Sequence, residues 1–344
     1  MRIAVIASPV TPLRPAQLGG AQAFVCDLAL GLSRRGHEVT LHCAEGSEVE
    51  GVRLVTVPAP FDAAAALVMP GGAGPPSPSP GVAAALATMF RDVRRLEVDA
   101  VSQHAFDAPA FDLARDMPVI HTLHLPPMVP AVVSAASRTP GSRLASVSRS
   151  SMASWREAGV EVGRLLPNGV PEDGPFAVDH VDQVALVAGR ISPEKGIEDA
   201  IAAARSVGLP VRLAGAHYDP AYEVDLGGIE VLGSLPRAEL RRVMARSAVT
   251  ICAVRWDEPF GMVAAEAQVA GCPVAAYRRG AMPEVVEDGV SGCLAEPDDV
   301  DSLARAIARC LDLDRVAVRA SAVRRLGLDA AVDRYESALE AGAR

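Results

Sequence analysis

The chain has 344 residues, half of them apolar, and a formal net charge of −9 at pH 7. At about 100–200 residues per domain that length implies two domains with sizeable cores, and an acidic balance without any block of Lys and Arg excludes an electrostatic grip on nucleic acid. No run reaches the ~20 apolar residues of a membrane helix, so the expectation is a protein without integral membrane association, in which any anionic ligand is held by a local site.

Only 4 % of residues are aromatic, and Ala, Val, Gly and Leu dominate, which suits layered α/β packing. The N-terminal MRIAVIASPV has one Arg before a short apolar run broken by Pro9. It reads as a first strand rather than a secretion signal. Six cysteines are scattered without a CxxC pair and read as reduced core thiols of a cytoplasmic protein.

In chain order, the strand near residues 2–7 leads through Gly19-Gly20 into AQAFVCDLALGLSRRG, where Phe24, Leu28 and Leu32 recur at helical spacing. HEVTLHCA then begins a second strand. This is a βαβ unit of a parallel sheet, whose ligands lie at the carboxyl ends of the strands. Residues 70–80 (PGGAGPPSPSP) read as a mobile surface loop. A helix is predicted over 82–96, then strands at 100–103, PVIHTL and RLASVS, then a helix in SSMASWREAG. LLPNGVPEDGPFAVDH is rich in turn residues and marks the domain linker.

A second α/β series opens with QVALVAGRI. A helix over 197–207, strands PVRLAGA and IEVLGSL, a helix ending near Arg246, strands VTICAV and PVAAY, a PEVVEDG segment and a helix in DVDSLARAIARCLD follow. The expectation is two Rossmann-like domains facing a cleft: residues 1–170, residues 171–328, and a terminal helix over 329–344 that can pack back on the first domain.

Three clusters carry candidate chemistry. In GRISPEKG, directly after a strand, Arg190 and Lys195 emerge from a strand-to-helix loop. Two fixed cations beside a helix start suit a diphosphate; the alternative is a pair of solvated surface charges. No GxxxxGK[ST] loop occurs. In RWDEPFGMVAAEAQVAG, Glu258 precedes a helix starting near Gly261, where the amides of Phe260, Gly261 and Met262 are open. The plain alternative for Glu258 is a helix cap. Glu266 lies in an apolar segment and needs a partner, either ribose hydroxyls or an Arg from a neighbouring helix. In the first domain, His104 with His121 and His124 stand at strand ends; no HExxH occurs, and the reading is sugar or acceptor contact rather than a metal site, with a satisfied structural histidine as the alternative for His121.

Taken in order, PNGV, GRISPEKG, EPFGMVAAE and GAMPEVVEDGVSG resemble the retaining glycosyltransferases of family GT4, which have the GT-B fold of two Rossmann-like domains with parallel sheets. Glu258 and Glu266 match that family's paired glutamates seven residues apart. Gly19-Gly20 in GGAQ and HTLHLPP are similar to a branch that includes an avilamycin-type antibiotic glycosyltransferase.

The resemblance implies a nucleotide-sugar donor in the C-terminal domain and a small-molecule acceptor in the N-terminal one, with UDP favoured over GDP and neither cofactor nor metal. Arg190 and Lys195 would neutralise the diphosphate, Glu266 would bind ribose, and Glu258 would hydrogen-bond the donor sugar. The amides of Phe260, Gly261 and Met262 would hold sugar or phosphate oxygens, Gly19 and Gly20 would let their loop approach the diphosphate, and His124 would lie near the reacting sugar. The chain departs from the family in lacking a His after GGAQ and in following PNGV with PED. Retention by double displacement would need a first-domain carboxylate, and none stands out, with Asp107 and Asp112 left open. A sugar-nucleotide 2-epimerase and a non-catalytic nucleotide-sugar-binding protein are the competing readings. Neither half has GxGxxG after its first strand, against a nicotinamide-dependent oxidoreductase. No motif sets an oligomeric state.

Overall fold

Ile3, Val5 and Ile6 of β1 (Arg2–Ile6) are fully buried, as a parallel strand covered on both faces requires. The computed structural model describes residues 1–14, 19–66, 79–173, 178–217 and 222–343. From β1 the chain continues through α1 (Gly20–Arg34), β2 (Glu38–Ala44), β3 (Arg53–Val57), α2 (Pro80–Arg95), β4 (Ala100–Gln103), α3 (Ala108–Leu113), β5 (Val119–Leu123), α4 (Pro130–Ser137), β6 (Leu144–Ser146), α5 (Arg149–Glu157) and β7 (Arg164–Leu165). These strands form one parallel sheet in the order β3-β2-β1-β4-β5-β6-β7.

The second series comprises β8 (Asp182–Ala188), α6 (Ile197–Ser206), β9 (Val211–Ala214), β10 (Glu230–Gly233), α7 (Arg237–Arg246), β11 (Ser247–Cys252), α8 (Met262–Val269), β12 (Val274–Tyr277), α9 (Met282–Val285), β13 (Gly292–Ala295), α10 (Val300–Cys310) and α11 (Arg315–Leu326). Its strands are also all parallel, in the order β10-β9-β8-β11-β12-β13. The chain ends on α12 (Leu328–Ala343).

Contacts divide the chain into two units. One comprises Met1–Pro15, Ala21–Asn168 and Leu328–Arg344; the other comprises Ala16–Gly20 and Gly169–Gly327. The first unit therefore includes α12. Its Tyr335 is fully buried and donates a hydrogen bond to Thr122 Oγ1 on β5 at 3.2 Å, and Glu336 accepts from Arg35 at 2.8 Å, at the end of α1.

Strand order reverses once in each sheet, between β1 and β4 and between β8 and β11. At such a point the connections on either side leave toward opposite faces, which opens a crevice at the strands' carboxyl ends. GRISPEKG follows β8 and RWDEPFG follows β11, so two widely separated segments converge at one reversal. Ser8 and His104, after β1 and β4, stand at the other.

Helix starts are fixed locally where a side chain can accept from the first turn. Ser148 accepts from Ser151 N in α5, Asp299 from Ser302 N in α10, and Asp314 from Val316 N in α11. All six cysteines are free and buried. Seven elements went unassigned from sequence: β3, α3, α4, β7, α9, β13 and α11. The strand β3 is a sheet edge with only Val57 fully buried, and α3 has six residues. In α11, Val318, Ala322 and Leu326 form the buried stripe, spaced by four between arginines. Of the Pro-rich loop, residues 70–78 lie outside the described residues, and so do residues 174–177 of the linker.

Candidate active site

The candidate site is built on the second unit. After β8 the chain makes a 3-10 turn at Pro193–Lys195 before α6 starts. The hinge between them is Gly196, in the left-handed region at φ +60°, where an added Cβ would run into the carbonyl oxygen of Ala253. No other residue type fits both constraints. This close approach locks the Lys195 turn onto the end of β11, and Arg255 N donates to Glu194 O at 2.9 Å to tie the same two segments.

Lys195 Nζ donates to Glu258 Oε2 at 2.8 Å, and Trp256 Nε1 donates to the same oxygen at 2.9 Å. The ammonium also lies 5.6 Å from the centre of the Trp256 ring, within cation–π range. The Lys195 and Glu258 side chains are 19 % and 15 % exposed. Burial pushes the Glu258 carboxyl up, but the Lys195 charge and the bonds from Lys195 and Trp256 outweigh it and hold the carboxyl below its ordinary value. Glu258 is therefore an anion at neutral pH. Its carbonyl accepts from Ala281 N at 2.9 Å, which fixes it against the GAMPEV segment.

The start of α8 follows at once. Its N-cap is Gly261, at φ +96°, and no side chain caps it. The reading of Glu258 as a cap is thereby corrected, because its carboxylate is held by Lys195 and Trp256 instead. With Gly261 as N-cap and Met262 as the first helical residue, the amides of Phe260, Gly261 and Met262 stand at the positive end of the helix dipole.

Arg190 donates to Glu194 Oε1 at 3.1 Å, and Ser192 Oγ donates to the same atom at 2.7 Å. Arg190 is thus part of a tethered cluster rather than a solvated surface charge. Glu266, 8 % exposed, accepts from Arg237 Nε of α7 at 2.7 Å. The alternative of an Arg from a neighbouring helix is what the structure contains. Arg237 bonds only one of the two carboxylate oxygens, Oε1.

Sequence reasoning did not single out Trp256, Arg237 or Glu194. Trp256 lies two residues before Glu258 and is one of two tryptophans in the chain, a signal that was available. The pairing of Arg237 with a glutamate 29 residues away depends on tertiary placement, and no local pattern marks it.

In the first unit, His104 Nδ1 lies 2.8 Å from His124 Nε2, with the rings stacked. They are 6 % and 7 % exposed. His121 does not join them. It is 1 % exposed, its Nδ1 meets Gln103 Oε1 at 3.1 Å, and its ring stacks on Phe111 at 4.6 Å. Expected as a sugar or acceptor contact, His121 is a core histidine of β5, a strand buried along its whole length. Burial drives the basicity of all three rings down, to about 3 for His121 and about 4 for His124, so all are neutral at pH 7.

Gly19 and Gly20 stand at the start of α1. Asp107, beside Ser8 at 3.4 Å, is pushed up to about 6 by burial, against the Ser8 bond. Asp112 is instead an exposed ion-pair partner of Arg115 and Arg138. Among the described residues, no group of three His, Cys, Asp or Glu is placed to hold a metal, and no helix is long and apolar enough to cross a membrane.

The family model for Glycosyltransferase Family 4 matches residues 18–173, and that for Glycosyl transferases group 1 matches residues 174–324. A D-inositol 3-phosphate glycosyltransferase of Mycolicibacterium smegmatis is 34 % identical over 161 residues, 43 % of this chain and 37 % of that protein. The chain spans about a third of the length of such curated relatives. AviGT4, a glycosyltransferase involved in Avilamycin A biosynthesis, has the same fold at a TM-score of 0.73 and 22 % identity, over 99 % of this chain and 98 % of that one. Anabaena Alr3699/HepE, solved with UDP-glucose, superposes at a TM-score of 0.74 and 20 % identity, over 99 % and 100 %. At those identities the likeness establishes the GT-B architecture of two parallel-sheet Rossmann-like units. With both halves matched by the two family models, from residue 18 to residue 324, the chain belongs to the family 4 type of glycosyltransferases.

Proposed function

We infer that the protein transfers a glycosyl group from a nucleoside diphosphate sugar, with UDP as the nucleotide, to a hydroxyl of a small-molecule acceptor, with retention at the anomeric carbon. The observation that carries this reading is the Lys195–Glu258 pair set beside the uncapped start of α8. It places a fixed cation, open amides and a fixed carboxylate at one strand-order reversal.

In the reaction the bond between the anomeric carbon and the diphosphate oxygen breaks, and negative charge gathers on the leaving group. Lys195, Arg190 and the α8 amides stabilise that charge in place, where removal of one such donor costs ~3–4 kcal/mol of barrier. Glu258 Oε2 holds Lys195, which leaves Oε1 for a sugar hydroxyl. Glu266 receives the ribose hydroxyls. The acceptor oxygen bonds to the anomeric carbon on the face the diphosphate leaves, and its proton passes to a phosphate oxygen. With protein cations in place of a metal, turnover should survive chelation. The link of AviGT4 to Avilamycin A biosynthesis supports an antibiotic or other secondary metabolite as acceptor, and HepE's complexes with UDP and UDP-glucose support the donor. Six buried free thiols suit a reducing cytoplasm.

The test is incubation with UDP-sugars and a panel of hydroxylated acceptors, with nucleotide release and the product's anomeric coupling as readouts. UDP release that depends on acceptor, retained configuration and loss of both in Lys195→Ala are expected. Isomerisation of the donor without acceptor would replace this reading with the epimerase, and wild-type turnover in Lys195→Ala would overturn the site.

A further inference from the structure

Behind His124 the structure holds a chain of polar groups that ends inside the sheet. Ser102 of β4 is completely buried, and its Oγ lies 2.8 Å from His104 Nε2. His104 Nδ1 in turn lies 2.8 Å from His124 Nε2. The outer nitrogen, His124 Nδ1, is buried and has no hydrogen-bond partner. Around the two rings the packing is aromatic: Tyr335 lies 5.9 Å from His104, and Phe24 lies 6.2 Å from His124. The Tyr335 hydroxyl is committed to Thr122.

Each of the two bonds needs one hydrogen between its atoms, so the whole chain can point only one of two ways. Two imidazoles whose nitrogens stand 2.8 Å apart cannot both be protonated at the facing atoms, and burial keeps both rings neutral. In the first direction the Ser102 hydroxyl donates to His104 Nε2, His104 Nδ1–H donates to His124 Nε2, and His124 carries its hydrogen on Nδ1. In the second, His124 Nε2–H donates to His104 Nδ1 and His104 Nε2–H donates to Ser102 Oγ. The Ser102 hydrogen then has no acceptor among the described residues, and His124 Nδ1 is an unfilled acceptor as well. The first direction leaves one buried group without a partner and the second leaves two, so the first is favoured.

We propose that Ser102 and His104 are positioning residues that lock His124 in the Nδ1–H tautomer, so that it offers a hydrogen-bond donor to an oxygen of a bound sugar substrate. His124 is then not a general base, since its one lone pair is occupied by His104. The proton released by the acceptor hydroxyl must go elsewhere, as it does when a phosphate oxygen takes it. The substrate class rests on the glycosyltransferase reading above; the tautomer does not.

The test uses the full chain labelled with nitrogen-15 at histidine. Long-range proton–nitrogen correlation should show His104 and His124 both protonated at Nδ1. Ser102→Ala should bring in Nε2–H signals for both rings and lower kcat about fivefold, the effect of one neutral hydrogen bond, with the KM for the nucleotide sugar within twofold of wild type. Ser102→Thr, which restores the hydroxyl, should restore the tautomer. An Nε2–H tautomer at either ring of the wild-type protein overturns the proposal, as do tautomers unmoved by Ser102→Ala. Nδ1–H tautomers in a protein that transfers no sugar would uphold the relay and overturn only the function.

Discussion

The Lys195–Glu258 pair can be isolated by a double-mutant cycle with Lys195→Met and Glu258→Gln. At 2.8 Å and an effective dielectric of about 20, two unit charges attract by about 6 kcal/mol. Desolvation offsets much of this, because only 19 % of the lysine side chain and 15 % of the carboxylate side chain remain exposed. A hydrogen bond between charged groups nets about 1.5–3 kcal/mol, and the expected coupling energy is about 2 kcal/mol. Lys195→Met should cost more than Glu258→Gln, since it leaves a buried anion with Trp256 alone, about 3 kcal/mol against about 2. Urea unfolding of wild type, both single variants and the double variant gives the coupling directly. The carboxyl's folded value is depressed, so its stabilisation is present above its ordinary value of 4.5 and is lost as pH falls through the lower folded value. Coupling measured at pH 7 should therefore shrink when the cycle is repeated well below pH 4.5. Additive single variants, within about 0.5 kcal/mol, would refute the claim that the pair organises the site.

Gly196→Ala should lower stability by more than about 2 kcal/mol and weaken UDP binding together, since a left-handed alanine alone costs about 1–2 kcal/mol and its Cβ meets the Ala253 carbonyl; a wild-type urea midpoint would refute the turn's role. Arg237→Gln should cost about 2–4 kcal/mol by leaving the buried Glu266 unpaired, whereas Arg237→Leu with Glu266→Leu should cost less while still abolishing UDP binding by calorimetry. Asp107 is the opposite of Glu258. Its folded value of about 6 lies above the ordinary 3.8, so the folded state holds the proton more tightly and stability falls as pH rises from about 4 to about 6. Asp107→Asn should flatten that slope and add about 1–3 kcal/mol at pH 7; an unchanged pH–stability curve would show that the carboxyl is not buried as described.

How far the sequence can be read depends on the range of the interaction behind each feature. The alternation of strand and helix in QVALVAGRI and DVDSLARAIARC was legible because burial repeats within a few residues. The glycines were legible too, although the reason for Gly196 lies in Ala253, 57 positions away. Which residue partners which was not legible. A cap was the plain alternative for Glu258 because Gly261 and the helix start are its neighbours in sequence, while its actual partner Lys195 is 63 residues distant. His121 and His124 stand three apart in HTLH, and only the family resemblance set them apart. The strand ends at Leu123, so the first is held in the sheet and the second leaves it, a distinction that turns on one boundary.

The three carboxylates of the candidate site are each bonded to the protein through one oxygen: Glu258 through Oε2 to Lys195 and Trp256, Glu266 through Oε1 to Arg237, and Glu194 through Oε1 to Arg190 and Ser192. This resolves an apparent conflict between stability and function. If the cations near the α8 start had no counter-charge, holding Lys195 at 19 % exposure would strain the unliganded fold; if the carboxylates were fully used, no hydroxyl could bind without breaking an ion pair. An ammonium has three donors and a carboxylate about four acceptor sites, so pairing through one oxygen neutralises the charges and leaves the remaining directions for a ligand. Under the proposed function, a nucleotide sugar would add partners to Lys195, Glu258 and Glu266 without removing any. The protein itself holds these cations in fixed positions, which is the condition under which fixed donors stabilise a transition state more than they stabilise the substrate.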